Sequence, residues 1–456
     1  MVFSGIPFLF VFLPVLLVVY RLVPATGKNA VLLLFSLLFY FYGEGSRILI
    51  MLVTITVNFL AGIGMERYPT KRRWMLGIAL VYDLGQLVLF KYTDFLIDTL
   101  NHTTGTSISL LHIIMPLGIS FFTFQTISYI VDVYQGKIRP SYRLIDFAMY
   151  VTLFPQLVAG PIVRFESIEH QIHHRTVNED GFEKGITRFV TGLFKKTVVA
   201  DTIASFVNVI GRNSIIGAWM SAIGFILQLY YDFSGYSDMA IGLGRMFGFT
   251  FPENFNYPLS AVSVTDFWRR WHITLSSFFK DYVYIPLGGN RVSILKWIRN
   301  IAVVWFLTGL WHGAGWNFII WGLYFGVLLF LEKTVFAGYA GKHPSAGRTV
   351  TFLLVVIGFV IFSADSLQDG LHTLSCMAGL QGLPFLDTKT LFYLRDYGVV
   401  LIGACICAFP VLPALQKMKC MQKLSFLQPL IILAVLILVT AFLVDASFSP
   451  FLYFRF

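Results

Sequence analysis

The chain has 456 residues, of which 57% are hydrophobic and only 13% charged. Soluble domains carry about 25% charged residues, so this composition excludes an ordinary soluble enzyme and points to a polytopic membrane protein. The formal net charge is +10, 34 Lys and Arg against 24 Asp and Glu, but the cations fall in short clusters between apolar runs. That is the pattern of a membrane topology signal, and no nucleic-acid partner is expected.

Apolar runs of roughly 17–25 residues read as spanning helices, with cations marking their cytoplasmic ends. Residues 6–23 lack a basic leader and a small-residue cleavage site, so they read as a retained first span rather than a signal peptide. Residues 29–43, 48–65, 74–100 and 113–134 follow as further spans. The loops at 21–28, 66–73 and 135–143 are basic, whereas those at 44–47 and 101–109 are nearly free of cations. This alternation places the N-terminus on the extracytoplasmic face. Residues 146–161 are apolar but short, and Pro155, Gly160 and Pro161 interrupt them. A non-spanning, re-entrant segment is predicted there, its freed backbone groups facing protein or water.

Residues 164–184 are polar and cytoplasmic in this reading. Apolar runs at 186–210 and 216–231 come next, the first interrupted by Lys195 and Lys196, and then a glycine-rich stretch at 239–251. Later spans are predicted at 318–336, 350–363, 391–412 and 426–444. Lys417, Lys419 and Lys423 precede the last one, which sends the C-terminus to the extracytoplasmic side. The expectation is an all-α membrane bundle of about eleven spans with re-entrant pieces. With no internal repeat or linker, it reads as a single domain over residues 1–456.

Three constellations carry weaker signals. The four cysteines form no C-x-x-C pair, and Cys405 and Cys407 point to different faces of an apolar helix, so packing is expected rather than a disulfide. His170, His173 and His174 have the spacing of a one-face metal site, but their polar surroundings lack cysteine and no metal is expected. Asp232 and Asp238 flank Ser-Gly-Tyr-Ser in an apolar setting. Carboxylates there are costly and usually paired, either with each other's neighbours structurally, with a central arginine, or with a histidine they orient.

The densest chemistry lies in residues 265–317, TDFWRRWHITLSSFFKDYVYIPLGGNRVSILKWIRNIAVVWFLTGLWHGAGWN. Its first half is crowded with cations, among them Arg269, Arg270, Lys280, Arg291 and Arg299, and no charge occurs from Ile301 to Asn317. Such cations can hold phosphates of a coenzyme or mark topology and lipid head groups. The uncharged helix ends in Trp311-His312-Gly313. An imidazole there is a functional candidate by default, the alternative being a core histidine bonded to a neighbour. If the stretch TDFWRRWHITLSSFF is one helix, Trp268, Trp271 and His272 share a face. A funnel formed by residues 265–300 and leading toward His312 is expected.

The blocks RRWHITLSSFFKDYVYIPLGGNR and LTGLWHGAGWNFIIWG resemble the membrane-bound O-acyltransferase (MBOAT) family, and within it the bacterial branch linked to alginate O-acetylation. Proteins of teichoic-acid D-alanylation are more distant. PLGISFFTFQ at 116–125, FPQLVAGP at 154–161, DFSGYSD at 232–238 and FLYFRF at 451–456 extend the resemblance over most of the chain. It implies a catalytic His312, with His272 at the family's second histidine-or-asparagine position. Around them Trp311, Asn317, Arg269, Arg270 and Asp238 are the candidate substrate-binding residues, and the C-terminal motif implies a tail tyrosine, Tyr453, that carries the acyl group.

The resemblance further implies an acyl donor, acetyl-CoA or a phosphopantetheine carrier, arriving from the cytoplasm with no tightly bound cofactor. The acceptor is an extracytoplasmic polysaccharide hydroxyl reached through an SGNH-type partner, and the protein sits among the lipids of a bacterial cell membrane. A transporter of an acylated carrier or lipid is the competing reading. It would favour interrupted helices in two repeated halves, which the sequence does not show.

Overall fold

The structure is a computed structural model that describes residues 2–418, 425–445 and 451–452. Every regular element among them is helical. The contacts group the chain into two compact units, one of Met1–Phe189 with Met239–Pro252 and one of Val190–Asp238 with Glu253–Phe456.

In the first unit, Lys28–Glu44 and Ile48–Arg67 are separated by Gly45 at φ 56° and ψ −128°, a conformation that glycine alone adopts without strain. The whole helical run Ala25–Arg67 is 43 residues long. At 1.5 Å per residue it measures about 65 Å, twice the hydrocarbon thickness, so it supplies two crossings. The next helix differs from the sequence reading. Residues 105–116 form no regular element and are mostly exposed, and the helix begins only at Ile119, running to Gln135 after Gly118 in the left-handed region. A side chain at Gly118 would put its Cβ 2.5 Å from the Leu157 carbonyl oxygen, so this turn is fixed by close backbone approach.

No continuous spanning helix runs through Pro155. Leu144–Thr152 stops at Leu153, whose ψ of 106° leaves the helical region, and Phe154–Leu157 is a single turn. Side chains meet the freed groups: Ser36 Oγ accepts from the Phe154 N–H at 3.1 Å, and Gln156 Nε2 donates to the Tyr150 carbonyl at 2.7 Å. Nearby, His173 Nδ1 lies 3.7 Å from Asp146 Oδ2, and Asn29 donates to the other oxygen of that carboxylate. Among the described residues no group of three or more His, Cys, Asp and Glu is arranged to hold a metal ion.

The helix Ile215–Met246 is a single unbroken element, and its residues up to Asp238 belong to the second unit. The sequence reading divides this stretch in two because glycine weakens an isolated helix. Here glycine serves packing: a Cβ at Gly235 would lie 2.8 Å from the Gly192 carbonyl oxygen. Ile294–His312 and Trp316–Thr334 form an antiparallel pair, and Pro344–Ser363 packs against the second of them.

Seven helical runs among the described residues are long and apolar enough to cross a membrane. Thr388–Asp396 and Gly398–Cys407 make an eighth if counted as one span, bent by 64° where the sequence suggests a straight one. Length and apolarity therefore do not by themselves give eleven spans.

Candidate active site

Helix Val264–Arg270 is short and capped twice at its start. Ser263 accepts from the Asp266 N–H, and the Glu332 carboxylate accepts from the Val264 N–H at 2.6 Å and the Thr265 N–H at 3.2 Å. A carboxylate at a helix N-terminus meets both orphan donors and the positive end of the dipole. The helix then ends at Arg270. Trp271 is extended and His272 is left-handed at φ 44°, ψ 54°, before Ile273–Phe279 begins. The single helix that would align Trp268, Trp271 and His272 on one face does not form, because His272 is itself the break.

Asn254 holds that break in place. Its Oδ1 accepts from the Thr274 N–H at 3.3 Å and from Thr274 Oγ1 at 2.8 Å, and lies 3.0 Å from His272 Nδ1. An amide oxygen only accepts, so Nδ1 carries the proton and the neutral ring has its lone pair on Nε2. Asn254 Nδ2 donates in turn to Ser237 Oγ at 3.2 Å, which ties the loop to helix Ile215–Met246.

His312 is the last residue of Ile294–His312, as the uncharged run ending in Trp-His-Gly suggests. Its ring meets Trp311, Trp321 and Phe362 edge to face, at centroid distances of 4.9, 5.0 and 5.4 Å. The His272 ring lies 5.8 Å from Trp311 and 4.8 Å from Phe233. Trp311 is therefore a neighbour of both imidazoles, which are 1% and 4% exposed for His272 and His312. Both rings sit in an aromatic, nearly dry setting.

The remaining candidates divide. Asn317, buried, donates from Nδ2 to the Ala364 carbonyl at 2.9 Å. It thereby fixes the segment that brings Phe362 onto His312. Arg270 Nε bonds Asp266 Oδ1 at 2.8 Å within its own helix, and Arg269 is exposed. Asp238 pairs with Lys195 at 2.6 Å, and Asp232 with Lys196 at 2.9 Å. The two lysines sit in a π-helical stretch, Lys195–Ala200, whose wider turn lets consecutive side chains reach one neighbouring helix. Each aspartate thus closes on a lysine rather than on the histidine or arginine that the sequence leaves open. Tyr453 lies outside the described residues.

A polar cavity of about 320 Å³ lies in the same unit. Lys196, Asp232, Arg212, Gln228, Asp365 and Leu452 are among its lining residues, and none comes from 265–300. Ser363 and Ala364 also line it, directly after the Phe362 that packs on His312. Sequence reasoning passes over Asn254, Glu332 and Lys196. For Lys196 a signal exists, since a lysine doublet inside an apolar run needs partners, and Asp232 and Asp238 are the carboxylates in similar straits.

The apolar helical runs, long enough to cross a membrane several times, define a polytopic membrane protein. The chain belongs to the MBOAT, membrane-bound O-acyltransferase family, which it matches over residues 137–370. It is 45% identical over 380 residues to a protein of Pseudomonas aeruginosa described as "probable alginate O-acetylase", covering 81% of this chain and 73% of that one. It is 37% identical over 420 residues to the peptidoglycan O-acetyltransferase of Helicobacter pylori, covering 82% and 79%. It is 31% identical over 278 residues to the teichoic acid D-alanyltransferase of Bacillus subtilis, covering 55% and 69%. The protein is a multi-pass membrane O-acyltransferase.

Proposed function

We propose that this enzyme moves an acetyl group from a cytoplasmic thioester, acetyl-CoA or a phosphopantetheine carrier, to a hydroxyl on the extracytoplasmic side, for O-acetylation of an envelope or exported polysaccharide. The observation that carries the reading is the place of His312, buried at the end of an apolar helix and sharing the neighbour Trp311 with His272. His312 acts as general base: it takes the hydroxyl proton, the oxygen forms its bond to the acyl carbon, and the thiol leaves with a proton. His272, held by Asn254, and Trp311 shape the donor side of that site. Asn317 positions the wall around it, while Arg269, Arg270 and Asp238 belong to its approaches. Tyr453 is the hydroxyl that first receives the acyl group, since a phenolate leaves more readily than an alkoxide and suits onward transfer. An SGNH-type partner then delivers it to the polymer.

The alginate and peptidoglycan O-acetylating relatives favour acetyl over the D-alanyl group of the more distant relative. The buried base favours an enzyme over a transporter, which needs no proton acceptor at that point. The test is transfer from a labelled acetyl donor in membranes holding wild type, His312→Ala or His312→Gln at equal abundance. Loss of a general base lowers the rate by about 10²–10⁴-fold. Transfer at the wild-type rate in both variants removes His312 from the chemistry.

A further inference from the structure

Lys196 is 2% exposed, and its ammonium has three protons to place. Asp201 Oδ1 accepts at 2.7 Å, and Asp232 Oδ1 lies at 2.9 Å. The ring of Phe451 covers the same nitrogen at 4.9 Å. Asp232 Oδ2 accepts the Leu452 backbone N–H at 2.8 Å, and Phe451, 1% exposed, meets Tyr236 edge to face at 4.7 Å. Two carboxylates face one buried ammonium, so the cluster carries an excess of negative charge. Such a cluster is stable only where further donors and a polarisable face complete it. The end of the chain supplies both, an amide donor for the carboxylate and a π-face for the ammonium. Leu452 then stands in the wall of the polar cavity.

We propose that Lys196, Asp232 and Tyr236 form a binding site for the chain's own C-terminal segment and hold it as one wall of that cavity. The site reads an aromatic ring followed by a residue with a backbone N–H, which excludes proline at position 452. Lys196, Asp232 and Tyr236 are positioning residues, and their role does not depend on whether Tyr453 carries an acyl group. Docking in this way accounts for the burial of Lys196 with Asp232.

Amide hydrogen exchange on the full-length protein in detergent micelles tests this, because it reads binding of the segment rather than transfer. The Leu452 amide should exchange at least about tenfold more slowly than an unprotected amide in wild type. Asp232→Ala and Phe451→Ala should each abolish that protection while the amides of Ile215–Met246 keep theirs. Phe451→Ala alters only the docked segment, so its effect cannot come from misfolding of the helices. An unprotected Leu452 amide in wild type overturns the proposal, as does equal protection in the Phe451→Ala protein. Loss of protection along Ile215–Met246 in Asp232→Ala, with none lost at Leu452 in Phe451→Ala, assigns the cluster to fold support alone and also overturns it.

Discussion

His272 occupies a backbone conformation that costs a non-glycine residue about 1–3 kcal/mol unless its surroundings impose it. Asn254 imposes it, joining the ring nitrogen, the Thr274 amide and the Thr274 hydroxyl through one oxygen. Removing that oxygen leaves buried donors without their acceptor, at about 1–3 kcal/mol. Asn254→Ala should therefore lower the thermal unfolding midpoint and cut acetyl transfer roughly ten- to a hundredfold, because each 1.4 kcal/mol of misplacement is tenfold in rate. Asn254→Asp keeps the acceptor and should retain more activity. A variant pair with equal, wild-type transfer would show that the break at His272 needs no such support. The place of His312 at the end of its helix was legible in the sequence, because the uncharged run stops at Trp-His-Gly. The geometry of His272 was not, since its helix break is dictated by Asn254, 18 residues away in the chain.

Element packing decides where His312 stands. Ile294–His312 and Trp316–Thr334 meet backbone to backbone at two glycines: a Cβ at Gly309 would lie 2.3 Å from the Phe318 carbonyl oxygen, and one at Gly322 2.2 Å from that of Trp305. Small residues at such crossings let membrane helices approach closely enough for dispersion to hold them. The same closeness brings Trp321 within 5.0 Å of the His312 ring and Trp305 within 4.8 Å of Trp268. In an exposed helix Gly→Ala gains about 0.5–1 kcal/mol, whereas overpacking costs about 1–3 kcal/mol, so here the clash wins. Gly309→Ala and Gly322→Ala should each lower the thermal midpoint and reduce transfer although no catalytic group is touched. A raised midpoint in either would mean the two helices yield without cost. The sequence showed both helices through their apolarity. It did not show that the glycine-rich run before residue 246 stays helical, because glycine reads as a breaker until the neighbouring backbone that requires it is known.

For the whole molecule the distribution of charge sets the crossing pattern. Arg67, Lys71 and Arg73 are exposed around the start of the helix that follows Tyr68, whereas Arg47 in the preceding loop is offset by Glu44 at 2.9 Å. That loop contributes little net positive charge, so the basic and neutral loops alternate as membrane insertion requires. The expected placement of both chain ends on the extracytoplasmic face demands an even number of crossings, near but not equal to eleven. An even number follows when Phe8–Leu22, too short for a long span but apolar, is counted with Ile119–Gln135 and the continuous helical run 179–210. Those three join the seven long runs, the first of which crosses twice, and the bent pair Thr388–Asp396 with Gly398–Cys407, giving a total of about twelve. Reporter fusions check this directly. Alkaline phosphatase fused after Gly105 or after Phe385 should be active, and a fluorescent protein fused after Thr70 or after Lys342 should fold and fluoresce. Activity of alkaline phosphatase after Thr70 would reverse the orientation.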